Sequence, residues 1–245
     1  MISKPLSRVL VLKNCLIKLK SNRRSVVLAS LRGFSSSSWY DMNDPASGKQ
    51  SIPETKLHKH ESDDRLVWVD CEMTGLDVDK DRLLEVAMII TNGNLEEIVT
   101  CGPLVVKTDE QVLLNMNDWC KKSHRKSGLW KACLESHLTI EDVDNQLSQI
   151  LAEKCIQVAA LAGNSVSFDR MFLKKYCPKF GSLLHYRMVD VSTIKELVRR
   201  WYPNEPNHSK KLNHRALDDI RESIDELRYY RARYFKSSNQ LDKEK

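Results

Sequence analysis

The chain has 245 residues, 41% of them hydrophobic, and a formal net charge of +6. This length is sufficient for one domain with a complete hydrophobic core. The positive charge is concentrated at the start, because residues 1–40 hold eight of the 39 Lys and Arg residues and no Asp or Glu. The remainder has 31 basic against 33 acidic residues, a net charge of −2. This composition argues against a body that binds long nucleic acids through a large basic surface.

Residues 1–40 mix Arg, Lys, Ser and Leu without acids, which is typical of an organelle presequence. Lys13, Lys18 and Lys20 interrupt the apolar core that a secretory signal needs. We therefore predict a mitochondrial presequence, removed near Arg32–Ser38, and a mitochondrial protein. A plastid transit peptide, a dual mitochondrial and cytosolic location and a disordered basic tail remain alternatives. The sequence contains no uncharged apolar stretch of 18 residues, so we expect no membrane-spanning helix.

Residues 41–62 are polar and contain two prolines, which predicts a linker. The folded domain is expected over 63–236, followed by a polar tail over 237–245. The seven cysteines are scattered and form no C-x-x-C pair, which argues against a disulfide framework and against a zinc site.

Short apolar segments bounded by turn residues alternate with amphipathic ones along the domain. Five of them are predicted as strands: 65–71, 83–91, 96–106, 156–164 and 185–191. Helices are predicted across 109–155, over "SFDRMFLKKY", over "STIKELVRRWY" and over 215–234. A meander of three strands followed by alternating helices and strands predicts an α/β fold, a mixed five-stranded sheet flanked by helices.

Four carboxylates stand at positions where a shared site can form. Asp70 and Glu72 end the first strand, and residues two apart on a strand point to the same face. Asp169 follows the end of another strand, in the first turn of a helix. At about 100° per residue, Asp219 lies about 60° from Ala216 on the margin of the last helix's apolar face, whereas Asp218 lies about 160° away. We therefore expect Asp219, and not Asp218, to point into the protein.

Such a set of acids requires positive charge. Oxygen ligands without cysteine favour Mg²⁺ or Mn²⁺, and a pair of these ions suits in-line displacement at phosphorus. His214 is the only histidine adjacent to these acids in sequence, and its imidazole is suited to accept the proton of an attacking water. Taken singly, each of these residues has an ordinary structural interpretation. A D-x-E pair is usually part of a solvated face or an ion pair. Asp169 would be an acid at a helix N-terminus, and His214 would be a loop or cap residue. Their combination favours catalysis.

Three segments resemble the exonuclease motifs of the DEDD superfamily, in its histidine-containing subclass: "VDCEMTGLD" (69–77), "GNSVSFDRMFL" (163–173) and "HRALDDIRESIDEL" (214–227). Three segments are more narrowly similar to the oligoribonuclease family: "WVDCEMTGLD" (68–77), "HYRMVDVSTIKELVRRWYP" (185–203) and "HRALDDIRES" (214–223). That similarity covers about residues 65–236, with minor departures at 166–168 and Met171. The resemblance implies an RNase H-like fold and 3′→5′ hydrolysis of very short RNAs, including dinucleotides, to mononucleotides. It also implies a homodimer and two metal ions held by Asp70, Glu72, Asp169 and Asp219, with His214 as the general base.

The resemblance further implies a set of substrate contacts. They are Leu76 as an apolar wedge, Trp119 as a base-stacking aromatic, His124 near the scissile end, Tyr186 and Arg187 reaching across the dimer, and Ser165 and Ser192 at the 5′ phosphate. Without the resemblance, Leu76 and Trp119 would be assigned to core packing and the serines to helix caps. Both serines begin predicted helices, so we also expect their free N–H groups to favour an anion.

Two other functions remain open from the sequence. One is a general or proofreading DNA or RNA exonuclease, which would need a channel for longer strands. The other is an inactive RNA-binding module, which would be expected to lack at least one of the five catalytic residues. None of the five is missing.

Overall fold

The structure is a computed structural model that describes residues 64–154, 156, 159–205 and 215–236. The predicted presequence (1–40), linker (41–62) and tail (237–245) lie outside the described residues, and so does His214. The described part lies within the predicted domain 63–236, whose exact limits remain a prediction.

Five strands form one mixed sheet: β1 (Leu66–Met73), β2 (Leu83–Thr91), β3 (Glu97–Val105), β4 (Ala159–Gly163) and β5 (Leu184–Asp190). Their order across the sheet is β3-β2-β1-β4-β5. The first three strands pair antiparallel, whereas β4 joins β1 and β5 joins β4 in parallel. The predicted meander and the mixed five-stranded sheet are therefore confirmed.

The described helices are α1 (Glu110–Leu114), α2 (Asp118–Lys126), α3 (Leu129–Glu135), α4 (Ile140–Glu153), α5 (Ser167–Tyr176), α6 (Pro178–Ser182), α7 (Val191–Trp201) and α8 (Ala216–Tyr234). The first four divide the predicted helical segment 109–155. A capping box between Thr139 and Asp142 sets the start of α4. Within the described ranges, no helix is both long enough and apolar enough to cross a membrane.

The alternation of side chains along β1 divides the core into two layers. Val67 and Val69 pack on one face of the sheet with residues of α4 and α5, such as Phe172. Trp68 packs on the other face with Ile220 of α8. Because side chains alternate along a strand, Asp70 and Glu72 continue the Trp68 face and point to the side that α8 covers.

Candidate active site

Three carboxylates meet where β1 ends beneath the start of α8. Asp70, Glu72 and Asp219 each place one carboxylate oxygen within 4.8 Å of the others. Asp219 reaches this position because it lies in the first turn of α8, whose apolar side packs on β1 and β2. Asp218 is exposed. The structure thus places these two aspartates as their helical phase predicts.

The fourth predicted acid, Asp169, joins this cluster from α5. It is buried, and its Oδ1 accepts a hydrogen bond of 2.9 Å from the backbone N–H of Cys71. Cys71 lies between Asp70 and Glu72 in the chain, so this bond fixes the Asp169 carboxylate against the acidic end of β1. All four predicted metal ligands are therefore brought to one place.

Burial and mutual repulsion disfavour the ionised forms of these acids. Burial raises the pKa of Asp70 well above its usual range, and the charges of Asp169, Glu72 and Asp219 raise it further. Burial, followed by the charge of Asp219, raises the pKa of Glu72 to about 8. Burial raises the pKa of Asp169 to about 7, although the Cys71 N–H acts in the opposite direction. An arrangement of this kind suits divalent cations, which stabilise the ionised carboxylates.

A fifth acid beside the cluster has its own counter-charge. Glu85 of β2 is fully buried and stands directly opposite Glu72 in the strand pairing. The guanidinium of Arg215 binds it through Nη2 at 3.0 Å and Nε at 3.3 Å, and the backbone N–H of Ala216 donates to its Oε1 at 3.1 Å. Glu85 therefore anchors the start of α8 and leaves Glu72 to face Asp70 and Asp219.

The two predicted histidines differ in what the structure shows of them. His214 lies outside the described residues, but its chain neighbour Arg215 is anchored beside the acids by Glu85. His124 of α2 is only 1% exposed. Its Nε2 lies 2.9 Å from the carbonyl oxygen of Met73 and must donate to it, which leaves Nδ1 3.8 Å from Glu72 Oε2. His124 thus contacts the acidic cluster directly.

Two apolar residues near this cluster face outward. Leu76, in the loop after β1, is 63% exposed, and Trp119, in the first turn of α2, is 65% exposed. Neither residue belongs to the core, which removes the alternative that Leu76 and Trp119 serve only in core packing. The hydrogen bond from His124 to Met73 ties α2, the helix of Trp119, to the end of β1, the strand that Leu76 follows.

The two predicted phosphate-binding serines are adjacent. Ser165 Oγ and Ser192 Oγ are 3.2 Å apart. The expectation that their N–H groups are free to bind an anion is wrong, because both donate to Asp190 Oδ1, at 3.0 and 2.9 Å. Asp190 is the N-cap of α7, and Val166 is the N-cap of α5. The hydroxyl groups are therefore what the pair can offer to a phosphate.

Tyr186 and Arg187 lie on β5, at the edge of the sheet and separated from β1 by β4. Tyr186 is 70% exposed, and the Arg187 guanidinium carbon lies 5.4 Å from the centre of its ring. Both side chains are thus on an outer surface, as contacts to a second subunit require.

Sequence reasoning missed the residues that support the site: Glu85, Asn164, Asp190, Arg215 and Glu226. Glu85 carried a signal, because it is the single acid in the apolar run "LLEVAMIIT". Glu226 carried one as well, because it lies within about 20° of Asp219 around the last helix. Asn164, Asp190 and Arg215 are recognised only from the tertiary contacts that the fold creates.

A mixed sheet with four acids gathered at the end of its first strand defines the class of protein, which is an exonuclease. The exonuclease family RNase_T matches residues 67–227. Exonuclease I from Methylocaldum szegediense superposes with a TM-score of 0.51 at 21% identity, over 69% of this chain and 41% of that one. The zinc-bound E. coli exonuclease I complex with single-stranded DNA gives 0.52 at 14% identity, over 70% and 41%. At these identities, the likeness shows the fold alone.

Closer relatives narrow the class. The chain is 50% identical over 187 residues to the probable oligoribonuclease of Schizosaccharomyces pombe, covering 75% of this chain and 74% of the relative. It is 49% identical over 175 residues to human mitochondrial oligoribonuclease (70% and 74%) and 46% identical over 175 residues to Arabidopsis thaliana oligoribonuclease (70% and 79%). The chain belongs to the oligoribonuclease family of 3′→5′ exoribonucleases.

Proposed function

We propose that this exoribonuclease degrades RNAs of two to about five nucleotides, removing mononucleotides from the 3′ end with two divalent cations, Mg²⁺ or Mn²⁺. The observation that carries the proposal is the convergence of Asp70, Glu72, Asp169 and Asp219, whose donor atoms are all hard oxygens. The cations, when bound, supply the positive charge that activates water and stabilises the charge developing at phosphorus.

His214 acts as the general base and accepts a proton from the attacking water. Its neighbour Arg215 is held by Glu85, one strand away from Glu72. This anchoring supports a position for His214 beside the acids. His124, packed against Glu72, lies at the scissile end of the substrate.

The exposed side chains near the acids favour short substrates. Leu76 and Trp119 offer a wedge and a stacking surface for about two bases, and stacking tolerates any base. Ser165 and Ser192 together form the site of the 5′ phosphate, which accepts a hydrogen bond from a hydroxyl group of the pair. Outside residues 1–40 the chain has no basic excess with which to follow a longer backbone.

We further propose a homodimer in which Tyr186 and Arg187 reach the partner's site. β5 is a sheet edge, and exposed edges are rarely left uncovered. Exposed apolar side chains accompany it on β5, α5 and α7: Tyr186, Met188, Phe168, Met171, Leu197 and Trp201. Light scattering should give twice the monomer mass, and a monomer with full activity would contradict the dimer.

We also propose that the protein is mitochondrial and that residues 1–40 direct it there. The acid-free basic composition of this segment supports the location. The relatives from cow, human and mouse are named mitochondrial oligoribonucleases.

One experiment tests the proposed activity. The protein is incubated with Mg²⁺ and 5′-labelled RNAs of two, seven and twenty nucleotides, with Asp219→Asn as the inactive control. We expect mononucleotides as products and the fastest turnover on the dinucleotide. Equal rates on the dinucleotide and the twenty-mer would instead support a general exonuclease.

A further inference from the structure

Glu226 is a buried acid that the proposed reaction does not use. It lies on α8 with no exposed surface. A charge in such a position is costly unless it is paired and hydrogen-bonded. Tyr230 donates its hydroxyl to Oε1 at 2.9 Å, Asn164 donates through Nδ2 to Oε2 at 3.2 Å, and Lys195 Nζ lies 3.8 Å away. Glu226 therefore holds one orientation of the Asn164 amide.

A second contact of Asn164 agrees with that orientation. Ser223 donates its hydroxyl proton to the carbonyl oxygen of Asp219 at 2.8 Å, so its oxygen accepts from Asn164 Nδ2 at 2.7 Å. Both α8 partners require the amide nitrogen on their side, and the Asn164 oxygen must therefore face the other way. In that direction it accepts from Ser192 Oγ at 3.0 Å.

This chain of hydrogen bonds gives the two serine hydroxyls different tasks. Ser192 carries one hydroxyl proton, and it is directed inward to Asn164. In the 3.2 Å contact between the serines, Ser165 must then be the donor. Ser165 is exposed, so its proton can turn from Ser192 to a ligand.

We propose that Glu226 is a positioning residue that acts through Asn164 and Ser192 to present the Ser165 hydroxyl to the 5′ phosphate of a dinucleotide. This inference rests on the proposed function. The same helix carries Asp219, so one rigid element connects the phosphate site with the acidic cluster. That connection holds the two sites in a fixed relation to each other.

The test compares three substrates in Mg²⁺: a dinucleotide with a 5′ phosphate, the same dinucleotide without it, and a seven-nucleotide RNA. Glu226→Leu and Asn164→Ala interrupt the chain of hydrogen bonds. Glu226→Gln is the conservative variant, because its amide oxygen can accept from Asn164 while its nitrogen donates to Tyr230. Asp225→Asn is the matched control, an acid-to-amide change at an exposed position of the same helix.

We expect Glu226→Leu and Asn164→Ala to raise KM for the phosphorylated dinucleotide about tenfold, the effect of one lost hydrogen bond to a charged group. kcat, and KM for the other two substrates, should stay unchanged, as should all values for Glu226→Gln and Asp225→Asn. Thermal unfolding shows whether each variant folds. If Glu226→Leu does not fold, the kinetics of Asn164→Ala decide the test.

An equal loss on all three substrates would make the role merely structural and overturn the inference, and so would an unchanged KM in both disruptive variants. If the wild-type protein makes no distinction between the two dinucleotides, the proposed phosphate site itself fails. If it makes the distinction and the variants retain it, only the role of Glu226 fails.

Discussion

Glu85 and Arg215 form an ion pair, with 3.0 Å between Oε2 and Nη2, that joins the second strand to the start of the last helix. Glu85 is fully buried and stands opposite Glu72 in the sheet. Like charges directly opposite each other destabilise a sheet, so one of the two acids needs a partner within the protein. Arg215 provides that partner for Glu85, and Glu72 remains available to the proposed cations.

We expect Arg215→Met to lower the free energy of unfolding by about 3–5 kcal/mol, because it leaves a buried charge without its counter-ion. Activity should fall as well, since the start of α8 loses an anchor. Urea denaturation measures the first effect. Arg221→Met is the control. Arg221, on the helix that Arg215 anchors, lies 3.7 Å from Glu97 of β3, and this solvent-accessible pair is worth at most about 1 kcal/mol. Equal destabilisation by both changes would contradict the role of Glu85.

Asp219→Ala and Asp169→Ala should each abolish hydrolysis while leaving the fold intact, because each removes an oxygen ligand of a divalent cation. Asp218→Ala should retain nearly full activity, since Asp218 is exposed and lies outside the cluster. Product formation from a labelled dinucleotide measures activity, and circular dichroism verifies folding. If Asp218→Ala lost as much activity as Asp219→Ala, the assignment of Asp219 by helical phase would be wrong.

Periodicity was sufficient to find the parts of the molecule that local sequence controls. The five strands and the choice between Asp218 and Asp219 follow from spacing alone. At about 100° per residue, Glu226 lies within about 20° of Asp219, so the same reasoning could have marked it as an inward-facing acid. By contrast, the pairing of Glu85 with Arg215 depends on strand register and on residues 130 positions apart, which periodicity does not encode.

The serine pair shows the same limit. Its position at strand ends was foreseeable, but Asp190 competes for the N–H groups that an anion was expected to use. That competition arises only where β4 and β5 run in parallel and bring Gly163 beside Asp190. The partner of a loop residue such as Ser165 depends on which strand lies beside it. The sequence near Ser165 does not indicate that strand.

His214→Ala should lower kcat by about 10²–10⁴-fold, the usual range for a positioned acid–base group. Affinity for Mn²⁺ should be largely retained, because the four carboxylates remain. Isothermal titration calorimetry with Mn²⁺ separates the two effects. Loss of Mn²⁺ binding together with activity would make His214 a ligand and not the base.

Residues 1–40 should carry a fluorescent reporter into mitochondria, and a protein beginning at residue 41 should keep full activity. The reason is that a basic segment without acids can be drawn in by the membrane potential, whereas the catalytic residues all lie beyond it. Microscopy of the fusion measures the first outcome. Replacing the eight basic residues of the segment by Gln is the matched control and should leave the reporter in the cytosol. A wild-type fusion that remained cytosolic would refute the targeting role.

The raised pKa values of the acidic cluster predict how stability depends on pH and metal. In the folded protein, Glu72 has a pKa of about 8 and Asp169 of about 7, against ordinary values of 4.5 and 3.8. Between the ordinary and the raised pKa of each group, the folded state holds more protons than the unfolded state. Stability therefore falls as pH rises through this interval when no cation is present.

We accordingly expect a lower Tm at pH 8 than at pH 6 in EDTA, measured by differential scanning fluorimetry. Excess Mg²⁺ should raise Tm more at pH 8 than at pH 6, because a cation binds the ionised carboxylates and adds its binding free energy to the folded state. Asp219→Asn is the informative control. It removes the neighbouring charge that contributes most to the raised pKa of Glu72, so the decline in EDTA should become shallower. A Tm in EDTA that stays level or rises between pH 6 and pH 8 would show that the folded protein keeps these acids ionised without a cation.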